Sequence, residues 1–467
     1  MSDNELLKNI NPVDAIIEPG QLLLEEKPLL IITEWNNQQM KCFNCLKTSF
    51  VMCTKCRIVP LCLFCTTHDQ FECDFLRKAL DEGISKDMLV KNYGTFPLLK
   101  LLLLMENPTK KQYCEKFLKQ SVQLSDYQMD DLRKDYEESV IQPFLSTGFL
   151  NKLTSIGEKI EDDLYKLCIL IDRNSIPVFA SDDSILKCIY QNIGDIESSC
   201  IPNGAITVDD AFNLRIFATV KIFPGSKVSV SNANPLMDTH ERQLFYHSKR
   251  LFCTCERCRD PTELNTYINA IKCTSCEEGY MTFALGDTLW KCELCGANSS
   301  ISDIAALKSN IEDEINGATG DMVTLESLLQ KYSKILHTNH FLLIRIKHNI
   351  LMILNEILFH KKAEELKERK IQLHEEILPL VRLLSPGISK LYAFELHDYL
   401  SSFIQLDRNY IHKDIVPDKK NAYKILNIME EVCKNLAYEL PNTQEGVLLQ
   451  QLLSLKKTVE AQVNSSK

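Results

Sequence analysis

The run Cys253-Thr254-Cys255-Glu256-Arg257-Cys258-Arg259-Asp260-Pro261-Thr262-Glu263-Leu264 sets three cysteines in a Cys-x-Cys-x2-Cys pattern. A closed tetrahedral thiolate site needs four donors, so one position is left open. Cys200, in Ser199-Cys200-Ile201-Pro202-Asn203, is the candidate for it, because ligands need only meet in space. Downstream, Cys273-x2-Cys276 and Cys292-x2-Cys295 form two knuckles 15 residues apart, a zinc-ribbon spacing. Upstream, residues 42–73 hold seven cysteines and His68 in 32 positions: Cys42, Cys45, Cys53, Cys56, Cys62, Cys65 and Cys73. That is a ligand set for two tetrahedral zinc ions in a segment with too little apolar material for an ordinary core. Bound zinc would supply the folding free energy the segment lacks. Interleaving is the expected topology, with Cys42, Cys45, Cys62 and Cys65 on one ion and Cys53, Cys56, His68 and Cys73 on the other.

These groups use 15 of the 19 cysteines and one histidine, so about four zinc ions are expected. The first 30 residues show no basic stretch followed by an apolar one, so no secretory leader is expected and metal binding outranks disulfides. Cys114, Cys168, Cys188 and Cys433 stand singly in apolar stretches and read as buried core thiols. His240, His247, His337, His340 and His348 lack ligand spacing and read as surface or helix-packing residues. The 467 residues, 45% hydrophobic and 25% charged, suffice for about three domains with real cores. A formal charge of −10 argues against a large basic face, and strong nucleic-acid binding is not expected. The longest apolar block, Leu98 to Met105, is interrupted by Lys100 and falls short of the roughly 18 residues a membrane span needs. No lipidation motif closes the chain, and no membrane association is expected.

Between the cysteine clusters the pattern changes character. Ala15-Ile16-Ile17, the turn Glu18-Pro19-Gly20-Gln21 and Leu22-Leu23-Leu24 predict a hairpin or strand pair. Residues 75–175 read mostly as helix, with apolar spacing over Phe96–Met105, Gln112–Gln120 and Asp162–Asp172. Residues 176–235 read as strand, with runs at Ile206–Val208, Leu214–Phe217 and Lys227–Val230 and a turn at Pro224-Gly225. From Ser302 onward seven helical blocks are predicted, near 303–315, 321–336, 340–360, 363–377, 387–405, 418–438 and 443–461. Antiparallel packing with short connections is the expected arrangement. The stripe Leu343, Ile346, Ile350, Ile353, Leu354 and Ile357 reads as core. The charged run Lys361–Lys370 reads as a solvated helix face.

A Cys/His cluster interrupting a β-rich region, then Ser199-Cys200-Ile201-Pro202-Asn203, then Cys253 to Leu264 followed by a zinc ribbon: in this order the chain resembles the SET-and-MYND (Smyd) proteins, most of all the arthropod Smyd-A group. The resemblance covers nearly the whole chain. It implies an α+β fold with a β-rich split SET domain (N-terminal segment 1–40, core 176–237). Inserted into it are a MYND-type zinc finger (41–74) and a helical segment (75–175). A cysteine-rich post-SET region with zinc ribbon (238–300) and an all-α, tetratricopeptide-like C-terminal domain (301–467) follow. It also implies that Cys200 joins Cys253, Cys255 and Cys258, and that the activity is methyl transfer from S-adenosylmethionine to protein lysine.

The chain departs from the family where the chemistry sits. The Gly-x-Gly cofactor loop falls at Lys8-Asn9-Ile10, and none of the 15 glycines forms Gly-x-Gly anywhere. The family's Asn-His-Ser-Cys appears as Glu197-Ser198-Ser199-Cys200, so its cofactor-binding pair has become Glu197 and Ser198. The two family tyrosine positions are Asn232 and Lys249. Asparagine supplies no phenol, and a lysine in the channel repels a cationic substrate. Tyr246 is a weak substitute. In the finger, the run from Cys65 to His68 is short and lacks the family's Gln and Trp. The resulting expectation is a catalytically weak or inactive, zinc-dependent protein-interaction module, a pseudoenzyme. Its partners would be proteins or peptides, lysine-containing tails among them; it would be monomeric, in cytoplasm, nucleus or both. The alternative is an active S-adenosylmethionine-dependent lysine methyltransferase acting on histones or other proteins.

Overall fold

Strand pairing in this chain reaches across half its length. The computed structural model describes residues 13–34, 40–120, 133–153, 160–179, 185–231, 233–360, 363–404, 419–441 and 443–465. Near its N-terminal end lie β1 (Leu22–Glu26) and β2 (Leu30–Thr33), and neither pairs with the other. The central strand of one sheet is β4 (Ile185–Ile189), flanked antiparallel by β2 and β3 (Ser175–Phe179), with Cys188 opposite both Ile31 and Ile176. A second sheet runs β1, then β7 (Leu214–Ala218), then β6 (Gly204–Val208), with Leu24 opposite Ile216. Two short strands, β5 (Glu197–Ser198) and β8 (Ser229–Val230), pair in parallel. Leu23, Leu24, Cys188, Ile216 and Val228 close the core between them.

The predicted hairpin at 15–24 does not form. Ile17 exchanges hydrogen bonds with Ile222 at 3.0 and 2.9 Å, and β1 pairs with β7, so both segments line up on residues 214–222 rather than on each other. A two-stranded ribbon buries too little apolar surface to compete with a third strand. The predicted strand at 227–230 shrinks to Ser229–Val230, which follows the turn at Gly225 (φ 83°).

Between β2 and β3 comes helical material. Helix α1 (Gln70–Asp81) is capped by Asp69, whose carboxylate accepts from the Glu72 amide. Helix α2 (Lys86–Lys91) leads to α3 (Phe96–Glu106), which is apolar on every face and accordingly buried, Leu98, Leu101, Leu102 and Leu103 completely so. Its Lys100 donates to the carbonyls of Ile31 (3.2 Å) and Phe43 (2.8 Å), tying helix, sheet and finger together. The predicted helix at 112–120 is two short turns, 111–114 and 115–118, whereas α4 (Ile160–Arg173) is regular. Cys114, Cys168 and Cys188 are buried, and Cys433 is half-buried.

After β8, α5 (Thr239–Ser248) is capped by Asp238. The ribbon strands β9 (Ile271–Lys272), β10 (Tyr280–Thr282), β11 (Leu289–Cys292) and β12 (Asn298–Ser300) form one antiparallel sheet. Among the described residues seven helices follow: α6 (Ile301–Gly317), α7 (Met322–Tyr332), α8 (Phe341–His360), α9 (Glu364–Leu384), α10 (Lys390–Ser401), α11 (Lys419–Leu436) and α12 (Gln444–Ser465). In α8 Leu343, Ile346, Ile350 and Leu354 are buried, while Ile353 and Ile357 are half-buried. The charged run 361–370, whose residues 364–370 open α9, is only partly a solvated face among its described residues. Lys370 is 2% exposed and pairs with Asp398 at 2.8 Å, beside His374, which bonds the same carboxylate at 3.1 Å. These helices dock on the β core through two close approaches. A Cβ on Gly20 would lie 2.0 Å from the Tyr438 hydroxyl, and one on Gly387 2.0 Å from the Thr219 carbonyl. Among the described residues no helix is long and apolar enough to cross a membrane.

The Asp260–Leu264 motif has a structural role. Asp260 accepts from the amides of Thr262 (2.9 Å) and Leu264 (2.7 Å), an Asx-type turn that aims Glu263 inward. There Glu263 pairs with Arg242 at 2.8 Å and Arg257 at 2.9 Å, all three side chains being at most 2% exposed. Removing the acid would strand two buried guanidinium groups. The E263Q variant should therefore lose about 3–5 kcal/mol of stability in urea unfolding; an unchanged midpoint would mean the triad holds nothing together.

Candidate metal centres and the adjoining cleft

The structure brings the 16 spaced ligands together as four groups, each with its donor atoms within 4.8 Å of one another: Cys42, Cys45, Cys62 and Cys65; Cys53, Cys56, His68 and Cys73; Cys200, Cys253, Cys255 and Cys258; Cys273, Cys276, Cys292 and Cys295. The first two groups interleave. Sulfur separations are 3.6 Å for Cys45–Cys62, 3.9 Å for Cys53–Cys73, 3.7 Å for Cys200–Cys253, 3.4 Å for Cys200–Cys258, 3.7 Å for Cys273–Cys295 and 3.8 Å for Cys276–Cys292. Zn–S bonds of about 2.3 Å in a tetrahedron put sulfurs about 3.8 Å apart, so these donor sets fit zinc.

Local backbone explains how the spacing achieves this. In four Cys-x2-Cys knuckles, the amide four residues after the first cysteine bonds that cysteine's carbonyl: Leu46 to Cys42, Arg57 to Cys53, Glu277 to Cys273 and Gly296 to Cys292. Each of those donors is left-handed, at φ 59°, 60°, 59° and 75°. The turn this forces points both thiols to one side. Amides also approach the sulfurs, as Ser275 does Cys273 at 3.3 Å and Gly279 does Cys276 at 3.4 Å. His68 offers Nε2 toward Cys56 (3.4 Å) and sets Nδ1 3.7 Å from Glu72, a carboxylate placed to fix the ring.

The third group forms a partition between two hollows. On one side lies a cleft of about 420 Å³, bordered by β5, Ser175, Ser231, Lys249 and Cys255. On the other a hollow of about 280 Å³ runs between Cys200, Gly204 and the 384–391 segment of the C-terminal helices. Ile206 and Ser231 line both.

Glu197 and Ser198 both border the cleft, and Glu197 lies 3.6 Å from Lys227. Lys249, the residue that caps the C-terminus of α5, extends its amine to the Ser175 carbonyl at 2.7 Å. Burial, and then the nearby Lys187 charge, lower its pKa to about 8, so it still carries a proton at neutral pH. Tyr246 is 2% exposed, and its hydroxyl sits 2.9 Å from Ser231 Oγ and 4.0 Å from Cys200 Sγ, which ties it into the partition. Lys8-Asn9-Ile10 and Asn232 lie outside the described residues. Arg173, Ser175 and Phe252 also border the cleft. No spacing singles them out, because each arrives alone from a different element.

Two curated proteins of Drosophila melanogaster resemble the chain. It is 24% identical over 244 residues to SET domain-containing protein SmydA-8, isoform B, a match covering 48% of this chain and 53% of that protein, about half its length. It is 20% identical over 396 residues to isoform A, covering 79% of this chain and 81% of that protein. No family model matches the chain. The order of cysteine groups, the Ser-Cys-x-Pro-Asn loop feeding the third of them and these two relatives agree: at the level of the family, the chain is similar to the Smyd-type SET proteins.

Proposed function

We propose that this protein is a zinc-dependent protein-interaction module on a split SET scaffold, in which methyl transfer is weak or lost. The scaffold would comprise SET segments 1–40 and 176–237, a MYND-type finger at 41–74, a helical insert at 75–175, a post-SET region with ribbon at 238–300 and a tetratricopeptide-like domain at 301–467. One observation carries the reading. The position that would orient an acceptor amine is Lys249, whose ammonium projects from the cleft wall to Ser175. Lysine methylation needs a neutral amine in line with a sulfonium methyl, and preorganised dipoles facing the positive charge. A fixed ammonium in that wall opposes both, and Tyr246 is engaged with Ser231. These residues do not fit a sulfonium cofactor.

Zinc is a different matter, because the donor sets suit it. The four groups would hold four structural ions, each cross-linking segments that have little core of their own, with no redox role. Partners would meet the hollow beside Leu384–Leu391, whose lining includes Ser385, Ser389 and Lys390. One observation favours the second reading, an active methyltransferase: Ile206 and Ser231 line both hollows, so a lysine entering from one side would come close to the other.

Metal analysis of the purified chain should find four zinc ions per chain. The C200S variant should retain three and unfold at lower temperature, and four ions in that variant would remove Cys200 from the ligand set. Calorimetric titration of the zinc-loaded protein with S-adenosylmethionine should give no heat at millimolar concentration. Micromolar binding would instead support the methyltransferase reading.

A further inference from the structure

A third hollow, of about 480 Å³, lies among α5, the ribbon and α6. Its volume is that of a small-molecule pocket, and its walls are largely apolar. The ribbon supplies Phe283, Leu285 and Trp290, with the Phe283 and Trp290 rings stacked at 5.5 Å. Helix α5 supplies Leu244, the segment after it Phe252, and α6 Ile301. Those last three residues are 58%, 54% and 46% exposed. One such side chain in water is ordinary, but three from separate elements around one hollow make a surface that is stabilised by being covered.

The rim is short of positive charge. Three carboxylates line the hollow, Asp238, Glu241 and Glu312, against one ammonium, Lys308. Lys308 is matched with Asp238 at 2.8 Å. Glu241 and Glu312 share a single guanidinium, that of Arg345 in α8, at 2.6 and 3.1 Å. Glu241 meets it through one oxygen, and its other oxygen, Oε2, is buried with no hydrogen-bond partner. Burial, then the neighbouring Asp238 charge, push the Glu241 pKa up, so the shared arginine does not fully offset the charge it faces. His240 also lines the hollow and adds a cation only when protonated. An under-compensated carboxylate beside an apolar wall selects a charged donor on the end of an apolar body.

We propose that this hollow binds a small molecule with an apolar body and one aliphatic amine, the body against Trp290, Leu244 and Phe252 and the ammonium beside Glu241 and Glu312. The site goes beyond the proposed function: none of its charged groups borders the SET cleft, although Phe252 lines both.

The test reads the emission of Trp290 in the full, zinc-loaded W35F chain, where Trp290 is the single tryptophan. At pH 8 an ordinary imidazole is neutral and an alkylamine is charged. The probes are 4-phenylbutylamine, 4-phenylbutanol and 4-phenylbutyrate, one body carrying positive, no and negative charge. The amine should change the emission saturably, with half-saturation at about 0.1–1 mM. The alcohol should bind at least about fivefold more weakly, and the carboxylate should give no saturable change at millimolar concentration. E241Q should leave the alcohol unchanged and bring the amine to within about twofold of it. E312Q, at a side chain 35% exposed, should fold normally and reduce the amine's advantage a few-fold; it decides if E241Q does not fold. L244A should weaken amine and alcohol alike. Amine and alcohol binding equally well would overturn the proposal, as would tighter binding of the carboxylate or no saturable change with any probe. An amine preference undiminished in both E241Q and E312Q would place the ammonium elsewhere and overturn it too. None of these outcomes bears on S-adenosylmethionine binding, so the proposed function stands or falls separately.

Discussion

Four thiols meeting at Cys200 are the constraint on which the cleft depends. Cys200 leaves the short β5 strand, while Cys253, Cys255 and Cys258 arrive from beyond α5. The two segments meet in a small buried cluster with Ala233, Tyr246 and Leu251. Once joined they fix the Glu197-Ser198 edge opposite Phe252 and Thr254, and Tyr246 fills the gap by bonding Ser231. The Arg242–Glu263–Arg257 triad braces the same region from behind, and Arg242 lies 3.9 Å from the Cys258 sulfur. A positive charge beside a thiolate cluster lowers the cost of gathering four negative sulfurs in one place.

The ligand groups are legible in the sequence because thiolate spacing is short-range and geometric. A Cys-x2-Cys turn has few backbone solutions, and a set of three sulfurs leaves an open fourth position for which Cys200 is the natural candidate. The helical stripes are legible for a similar reason, as Leu343, Ile346, Ile350 and Leu354 repeat within one element. What is not legible depends on partners far away in the chain. Ala15-Ile16-Ile17 and Leu22-Leu23-Leu24 carry every local mark of a hairpin, yet each finds a better neighbour some 200 residues on. Lys249 stands out by sequence as a departure, but its bond to Ser175 does not. Glu263 sits in a conspicuous motif, yet nothing local marks the two arginines it holds.

Charge burial in the helical region follows the same logic. Lys370 belongs by sequence to a solvated run, and only the fold sets it against Asp398. His374, 0% exposed, lies 3.1 Å from Asp398 and 3.5 Å from Glu395, and both carboxylates hold its pKa above the usual imidazole range despite burial. The hydrogen bond with His348 and the nearby His374 ring in turn hold the Glu395 carboxyl down to about 2, although burial alone would raise it. Such a network is costly unless complete, so it fixes the mutual packing of α8, α9 and α10 more than it adds net stability.

The pairing of Leu24 with Ile216 also bears on when the protein can fold. A loop of roughly 190 residues must close before that sheet exists, and closure entropy grows only slowly with length while the search it implies slows folding. On a ribosome, β1 emerges long before its partner is made. The segment 42–73 and the helices behind it have local contacts and two ligand sets suited to zinc, so they can collapse meanwhile and shorten the effective loop. The β1–β7–β6 sheet, which gives Ile206 to the cleft, is thereby the late event of biogenesis. Until it closes, Leu22-Leu23-Leu24 is an unpaired apolar edge, the segment of the nascent chain that most needs shelter from its neighbours.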